Sequence, residues 1–285
     1  VNLDAWVGQF MREQGFSYTI AYGDKLEEIW EEAVILAGED AEFPINFYKE
    51  EWLKVVSAYE TYKLKDYVKV TRVGRGVGLN RGKRIKVWKV FEAYQNVMKD
   101  KQLRDSETAM YECRNMIEKN RNLLPYVSVI VDEAQDLSMS AFRLLRAIAG
   151  EQKKNDIFIV GDTHQRIYKN KVVLSHCGIN IIGRSSYLRI NYRTTEEIRK
   201  YAFSLLKGID FDDLDDEYDS GRECHSLTHG VKPEVRNLSN GSEELDFIVD
   251  EIKKVEKSGA EKNNICIVCR TNRLLESYAQ ELTAR

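Results

Sequence analysis

Apolar residues recur at intervals of three and four along the first 103 residues of the chain. In residues 24–37, Leu26, Ile29 and Trp30 fall on one side of a helix, and glutamates fill the opposite side. This spacing is typical of amphipathic helices. Helices are therefore predicted over residues 4–14, 24–37, 49–67 and 85–103. The stretch 70–84 is rich in glycine and predicts a loop between the last two helices.

The pattern changes after Leu123, where short apolar runs alternate with amphipathic segments. The runs "YVSVIVDE", "DIFIVGD" and "SSYLRINYR" predict three strands, and "KPEVRNL" and "NICIVCR" predict two more. The helix after the first strand is expected to begin at Ser138 or Ser140, and a later helix at Thr194 or Thr195. Strands that alternate with helices predict an α/β fold, with parallel sheets covered by helices on both faces.

Length and composition are those of an ordinary globular protein. A chain of 285 residues is long enough for about two domains. Its 43% apolar and 31% charged residues also fit that class. No stretch approaches the roughly 18 consecutive apolar residues of a membrane span, and the first residues lack the pattern of a secretory signal. We therefore expect a cytoplasmic protein that does not act in a membrane.

The cysteines allow two interpretations. Cys266 and Cys269 form a C-x-x-C pair, and Cys224, His225 and His229 lie close together in the sequence, so that a zinc site is conceivable. However, Cys266 lies inside the predicted strand "NICIVCR", where a metal ligand would be buried. Reduced, structural cysteines are the interpretation that we favour.

The net charge of −3 hides a strong segregation of charge. Residues 24–42 carry eight carboxylates and one lysine, and residues 210–219 carry seven carboxylates and no base. Residues 69–89 carry eight lysines or arginines and no acid. A basic stretch in an otherwise acidic protein predicts contact with a polyanion. The alternative is a charged face that is merely solvated.

Acidic residues follow two of the predicted strands. Asp132 and Glu133 end the first strand, Asp162 and then Gln165 follow the second, and Arg193 follows the third. In an open parallel sheet, ligands bind at the carboxyl ends of the strands. A site for Mg²⁺ and phosphate needs carboxylates for the ion and for water, and cationic donors for the transferred group. We expect these side chains to converge on one such site.

Three motifs in this order carry a family resemblance: "DEAQD", then "GDTHQRIY", then "LRINYRTT". Together they resemble the UvrD/Rep-like superfamily 1 DNA helicases, and "NICIVCRTNRLLESYAQEL" is similar to a later segment of those proteins. The resemblance implies α/β RecA-like P-loop NTPase motor domains with parallel sheets, plus a mainly helical inserted domain. The implied domains are a first motor domain at 1–20 and 121–186, the inserted domain at 21–120, and a second motor domain at 187–285.

The resemblance also implies a role for individual residues. Asp132 would hold Mg²⁺, and Glu133 would be the general base that activates the attacking water. Gln165 would sense the γ-phosphate of ATP, and Arg193 would act as an arginine finger supplied by the second motor domain. The remaining residues implied at the ATP site are Gln135, Asp136, Asp162 and Tyr192, of which the tyrosine would stack on adenine.

The implied activity couples the hydrolysis of Mg²⁺-ATP to movement on single-stranded DNA, with single-stranded or partly duplex DNA as the partner. The basic segment suits contact with the phosphate backbone. Asn170 stands where many members carry an aromatic that stacks on a base, which puts stacking there in doubt but not backbone contact. The residues expected to contact DNA are Arg72, Arg75, Arg81, Lys83, Arg84, Lys169 and Lys171.

The sequence lacks the phosphate-binding loop G-x-x-x-x-G-K-[ST] of a nucleotide motor. In "GVGLNRGKR" five residues separate Gly76 from Gly82, and Arg84 stands where a hydroxyl is needed. In the family that loop lies upstream of Val1, and two further motifs lie beyond Arg285. We therefore expect an internal fragment with little ATPase activity of its own. The alternative is a catalytically inactive module for binding nucleic acid or protein that retains the helicase fold.

Overall fold

The computed structural model describes residues 1–120, 123–165, 172–207 and 224–284, except for the side chain of Thr163. The chain divides into two compact units, the first comprising Val1–Leu188 and the second Arg189–Lys207 with the residues from Cys224 onward. Both combine α-helices with short parallel strand pairs. No helix in these ranges is long and apolar enough to cross a membrane.

The first hundred residues are mainly helical. The elements are α1 (Leu3–Glu13), β1 (Thr19–Ile20), α2 (Gly23–Ala37), α3 (Ile45–Glu51), a π-helix (Trp52–Ser57), α4 (Leu64–Tyr67), α5 (Arg81–Asp100) and β2 (Leu103–Arg104). Strands β1 and β2 pair in parallel. The predicted continuous helix over 49–67 is wrong. The helix widens into the π-helix, and Glu60 then adopts a left-handed backbone conformation (φ 54°), which a helix cannot continue.

An aromatic core fills the region between Ala21 and Leu103. The Trp30 and Tyr94 rings stack with centroids 3.8 Å apart. Trp52, Trp88 and Phe91 are all buried in this core and do not form a base-stacking surface. This region therefore has a hydrophobic core of its own.

The rest of the first unit surrounds a parallel strand pair. Its elements are α6 (Ser106–Lys119), β3 (Val129–Val131), α7 (Met139–Ala149) and β4 (Ile157–Ile159). Helix α6 packs with α1 and α7 in one apolar cluster, whereas β3 and β4 pack against α7 and residues 172–179 in another. Of the two serines predicted to begin this helix, Ser138 caps α7, since its Oγ accepts from the Ala141 N–H. The helix ends at Gly150.

The β3–β4 pair is covered on one face only within the described residues. Val131 and Ile159 point into the apolar cluster, but Ile130 and Phe158, which are neighbours in the register, are 78% and 63% exposed. Among the described residues, the expected coverage is therefore present on one face of these strands and absent from the other. The sequence could not show this, because an apolar run predicts burial without naming the residues that provide it.

The second unit is built from β5 (Ile190–Asn191), α8 (Glu196–Leu205), β6 (His225–Ser226), α9 (Gly241–Lys257) and α10 (Asn272–Ala284). Strands β5 and β6 pair in parallel, and Thr195 caps α8. The strands predicted over "KPEVRNL" and "NICIVCR" are wrong: neither segment has a ladder partner among the described residues, and Cys266 is exposed. The acidic segment 210–219 lies outside those residues.

Candidate functional site

The parallel register brings the carboxyl ends of β3 and β4 together. Val131 is opposite Ile159, so the segments that follow the two strands start side by side. The backbone links them, because the Ala134 N–H donates to the Val160 carbonyl at 3.0 Å. As we expected, the segments that carry Asp132 and Asp162 lie at the same edge of the strand pair.

Glu133 occupies an unusual backbone conformation. Its φ of 51° and ψ of 42° lie in the left-handed region, which costs a non-glycine residue on the order of 1 kcal/mol or more. The Asp132 carboxylate supports this turn, since its Oδ1 accepts from the Glu133 N–H at 2.9 Å. The turn leaves the Asp132 and Glu133 side chains exposed directly after the buried Val131. Strain of this kind concentrates at functional sites.

Gln135 bridges the two segments from a buried position, with 5% of its surface exposed. Its Oε1 accepts from the Asp162 backbone N–H at 2.9 Å, and its Nε2 donates to Glu133 Oε2 at 2.6 Å. Because a backbone N–H can only donate, it fixes the orientation of the amide, and the NH₂ group must then face Glu133. Gln135 thus ties the direction of the Glu133 carboxylate to the backbone after β4.

Gly161 makes this bridge sterically possible. A Cβ at that position would lie 3.0 Å from Gln135 Oε1 and 3.2 Å from the Ala134 side chain. Both distances are shorter than ordinary carbon contacts, so that a larger residue would have to push the amide away. The signal was present in the sequence, since a glycine directly between an apolar run and Asp162 indicates close backbone approach, but the sequence could not name its neighbour.

Asp162 organises the turn that carries Gln165. Its Oδ1 accepts from the His164 N–H at 3.0 Å, and its Oδ2 accepts from Gln165 Nε2 at 2.8 Å. The Gln165 side chain is exposed at the same edge as Glu133. The Asp162 side chain therefore stabilises this turn, and the Asp162 backbone N–H holds the Gln135 amide in place.

The carboxylates of Asp132, Glu133 and Asp136 are exposed, and none of them forms an ion pair within the part of the chain that the structure describes. No group of three histidine, cysteine or acidic residues in that part could hold a metal ion by itself. Mg²⁺ is usually bound by one or two carboxylates together with water and phosphate. The oxygen donors present at this edge fit such an ion.

Tyr192 and Arg193 belong to the second unit. They follow β5 directly, and Tyr192 is 74% exposed. The Arg193 side chain is exposed as well, and no carboxylate in the described part of its unit pairs with it. Both side chains are thus available to a ligand, and their convergence with Glu133 remains a prediction.

Two of the arginines expected to contact DNA are turned inward. Arg72 and Arg75 both pair with Glu51, whose side chain is completely buried: Arg72 donates to Glu51 Oε2 at 2.8 Å, and Arg75 donates to the same oxygen at 2.9 Å. The Tyr67 hydroxyl donates to the other oxygen at 3.0 Å. The geometry gives these arginines a structural role inside the helical region, since their donors already have an acceptor.

The remaining basic residues expected to contact DNA differ in their surroundings. Arg84 donates to the carbonyls of Tyr67 and Val70, at 2.9 and 2.7 Å, which also ties the loop down. Arg81 and Lys83 are exposed and form no ion pair among the described residues. Lys169 and Lys171 lie outside those residues.

Comparison with known proteins identifies the family. The model of the UvrD/REP helicase N-terminal domain matches residues 23–172, and the model of the UvrD-like helicase C-terminal domain matches residues 186–285. Similar proteins include the mitochondrial ATP-dependent DNA helicase HMI1 of Saccharomyces cerevisiae, 28% identical over 55% of this chain and 23% of its own.

Two bacterial relatives are similar over more of the chain. A probable DNA helicase II homolog of Mycoplasma capricolum is 25% identical over 68% of this chain and 27% of its own. The ATP-dependent DNA helicase PcrA of Staphylococcus aureus is 25% identical over 64% of this chain and 25% of its own. The chain spans about a quarter of the length of these relatives. Together with the two family models, the motifs show that the chain belongs to the UvrD/REP helicase family.

Proposed function

We propose that the chain is part of a superfamily 1 ATP-dependent DNA helicase or translocase, which couples ATP hydrolysis to movement on single-stranded DNA. The observation that carries this proposal is the arrangement of Glu133. Its carboxylate is exposed without a cationic partner among the described residues, on a strained backbone, and Gln135 orients it. A solvated acidic loop needs neither the strain nor the buried bridge.

The chemistry assigned to the chain follows from the side chains at this edge. Glu133 would accept a proton from the water that attacks the γ-phosphate, and Gln165 would contact that phosphate. Asp132 would hold Mg²⁺, which when bound neutralises charge on the phosphates. Asp136 would link this edge to neighbouring motifs. In the second unit Tyr192 would stack on adenine, and the planar donors of Arg193 would stabilise charge on the transferred group.

The domain organisation and the phosphate-binding loop belong to the same proposal. Residues 1–20 and 121–186 would form part of the first motor domain, 21–120 the inserted domain, and 187–285 part of the second. The phosphate-binding loop would come from sequence upstream of Val1, which is consistent with the share of the relatives that the chain spans. Without that loop we expect little ATPase activity. A cytoplasmic location also remains a prediction.

For DNA, we propose that Arg81 and Lys83 contact the phosphate backbone directly, together with Lys169 and Lys171. Arg72, Arg75 and Arg84 would act mainly by holding the loop, because carboxylates and carbonyls inside the protein already accept their hydrogen bonds. Contacts with exposed cations release counterions, so that affinity should fall with salt.

The second candidate function is a catalytically inactive module that binds nucleic acid or protein and retains the helicase fold. Binding alone needs neither Glu133 nor Arg193. The test is ATP hydrolysis by the full-length native protein, with and without single-stranded DNA, for the wild type and for Glu133→Gln.

The helicase proposal predicts DNA-stimulated hydrolysis in the wild type, a loss of about a hundredfold or more in Glu133→Gln, and unchanged DNA binding by both. A wild type that binds DNA but does not hydrolyse ATP would support the binding module. Hydrolysis that survives the substitution would show that Glu133 is not the base.

A further inference from the structure

The turn that carries Arg193 is held by one side chain. Asn191 is the last residue of β5, and its Oδ1 accepts from the Arg193 N–H at 2.8 Å and from the Thr194 N–H at 3.2 Å. Its Nδ2 donates to Thr194 Oγ1 at 2.6 Å. An asparagine that accepts from the backbone two residues further on forms a defined turn in place of regular secondary structure. The amide of Asn191 therefore fixes the backbone from Tyr192 to Thr194.

The surroundings anchor both ends of this turn. On the strand side, Asn191 is opposite Ser226 in the β5–β6 register. On the helix side, Thr195 caps α8, and the buried Glu196 carboxylate accepts from the Ser226 N–H at 2.8 Å. The packing is close, because a Cβ on Gly230 would lie 2.8 Å from Thr195 Cγ2. The turn is thus fixed to the strand before it and to the helix after it.

Arg193 has no comparable support beyond its own backbone. Its side chain is exposed, and no carboxylate in the described part of its unit pairs with it. A long side chain with several rotatable bonds loses conformational entropy when it engages a phosphate. The backbone of Arg193, from which this side chain extends, is held by the hydrogen bond that its N–H donates to Asn191 Oδ1.

We propose that Asn191 is a positioning residue for Arg193: its amide holds the arginine where the guanidinium reaches the transferred phosphate. This inference rests on the proposed function of Arg193 as the arginine finger. In this role Asn191 acts only through the backbone of the residues that follow it. A small displacement of a catalytic group can cost up to about a hundredfold in rate, so the effect should appear in the rate of hydrolysis at saturating ATP.

A double-mutant cycle tests this directly in the full-length native protein. Hydrolysis at saturating ATP is measured for the wild type, Asn191→Ala, Arg193→Ala and the double variant. If Asn191 acts through Arg193, Asn191→Ala should slow the wild type about tenfold or more, and should slow Arg193→Ala by less than about twofold. Thr194→Val is the matched control, because it removes the third hydrogen bond of the turn and leaves both backbone bonds to Asn191 Oδ1. We expect it to stay within about twofold of the wild type.

Each outcome separates this inference from the proposed function. If Arg193→Ala hydrolyses ATP like the wild type, the assignment of the finger is wrong, and the role of Asn191 with it. If Arg193→Ala is slow but Asn191→Ala is not, the finger stands and the positioning role is refuted. Equal slowing by Asn191→Ala in both backgrounds, or by Thr194→Val, would mean that Asn191 acts through local folding and not through Arg193.

Discussion

Glu51 and Glu133 are the same residue type in opposite surroundings. Glu51 is completely buried, and two arginines and the Tyr67 hydroxyl donate to its carboxylate. Glu133 is exposed on a left-handed backbone, and its carboxylate receives a hydrogen bond from the neutral Gln135 amide. A buried carboxylate needs charged partners to offset the loss of water, whereas an exposed one does not. The first arrangement holds the fold, and the second leaves the charge available to a ligand.

Acidic and basic segments that are separate in the sequence pair with each other in the structure. Acids in and after α2 pair with lysines of α5 and of the residue that follows it: Asp40 contacts Lys89 at 2.7 Å, Glu42 pairs with Lys86 and Glu32 pairs with Lys101. Four of the eight cations of segment 69–89 thus pair with acids of the helical region: Arg72, Arg75, Lys86 and Lys89. A basic stretch without acids in sequence can still have acidic partners in space, and only the cations left over are candidates for DNA contact.

The largest effect on stability is expected for Glu51→Gln. The substitution leaves Arg72 and Arg75 with a neutral partner in a buried site, and breaking a buried pair in this way costs about 3 to 5 kcal/mol. The free energy of unfolding, measured by urea denaturation, should fall by that amount. Glu50→Gln is the matched control, since the neighbouring Glu50 is exposed and also pairs with Arg75. Its effect should be much smaller, and equal losses in the two variants would contradict the structural role of Glu51.

Gly161→Ala tests the bridge by which Gln135 orients the Glu133 carboxylate. The added methyl group would meet Gln135 Oε1 at 3.0 Å, so that the amide should move and the Glu133 carboxylate should lose its orientation. We expect ATP hydrolysis by the full-length protein to slow about tenfold, while DNA binding is unchanged. Gly76→Ala is the control because a Cβ there meets open space. A wild-type rate for Gly161→Ala would show that the orientation of Glu133 does not depend on this bridge.

The salt dependence of DNA binding distinguishes exposed from internal cations. Replacing both Arg81 and Lys83 by Gln should lower the slope of log affinity against log salt by about 1.4 for single-stranded DNA, since each phosphate contact contributes roughly 0.7. Lys99→Gln with Lys119→Gln removes the same charge from other exposed positions and should leave the slope unchanged. If both pairs lower the slope equally, the effect is one of net charge and not of a DNA-binding surface.

The smallest effect concerns Glu197, a partly buried carboxylate with two hydrogen-bond donors. Hydrogen bonds from His229 and from the Gly230 N–H lower the pKa of Glu197 to about 2. A pKa that is lower in the folded state gives stability that is present above the unfolded value, near 4.5, and is lost as the pH falls toward 2. Glu197→Gln should therefore lower the thermal unfolding midpoint slightly at pH 6, and the difference should shrink between pH 4.5 and pH 2. A difference that is independent of pH would contradict this.

Local signals in the sequence predicted much of the fold. Helical spacing located α1, α2, α5 and α7 to within a few residues, because burial on one side of a helix leaves a period in the sequence itself. The two-residue strands β1, β2 and β6 are too short to leave any period. The same reasoning placed Asp132 and Asp162 at one edge, since the ends of parallel strands meet there.

The sequence could not show which residues far apart along the chain contact each other in the fold. Glu51 lies 21 residues before Arg72, and nothing local links the two, so that a structural arginine was predicted to contact DNA. Gly161 and Asn191 carry visible signals, a glycine at a strand end and an asparagine before a turn. Gly161 matters because it lies against Gln135, and Asn191 matters because it holds the backbone of Arg193. Only the fold shows those contacts.

The most direct test of the account compares Glu133→Gln with Glu51→Gln in the full-length native protein, measuring both ATP hydrolysis and the free energy of unfolding. The account predicts that Glu133→Gln loses hydrolysis by about a hundredfold or more and unfolds like the wild type, whereas Glu51→Gln loses stability. The division of roles between the two glutamates would be contradicted if Glu133→Gln hydrolysed ATP at the wild-type rate. It would also be contradicted if Glu133→Gln were destabilised as strongly as Glu51→Gln.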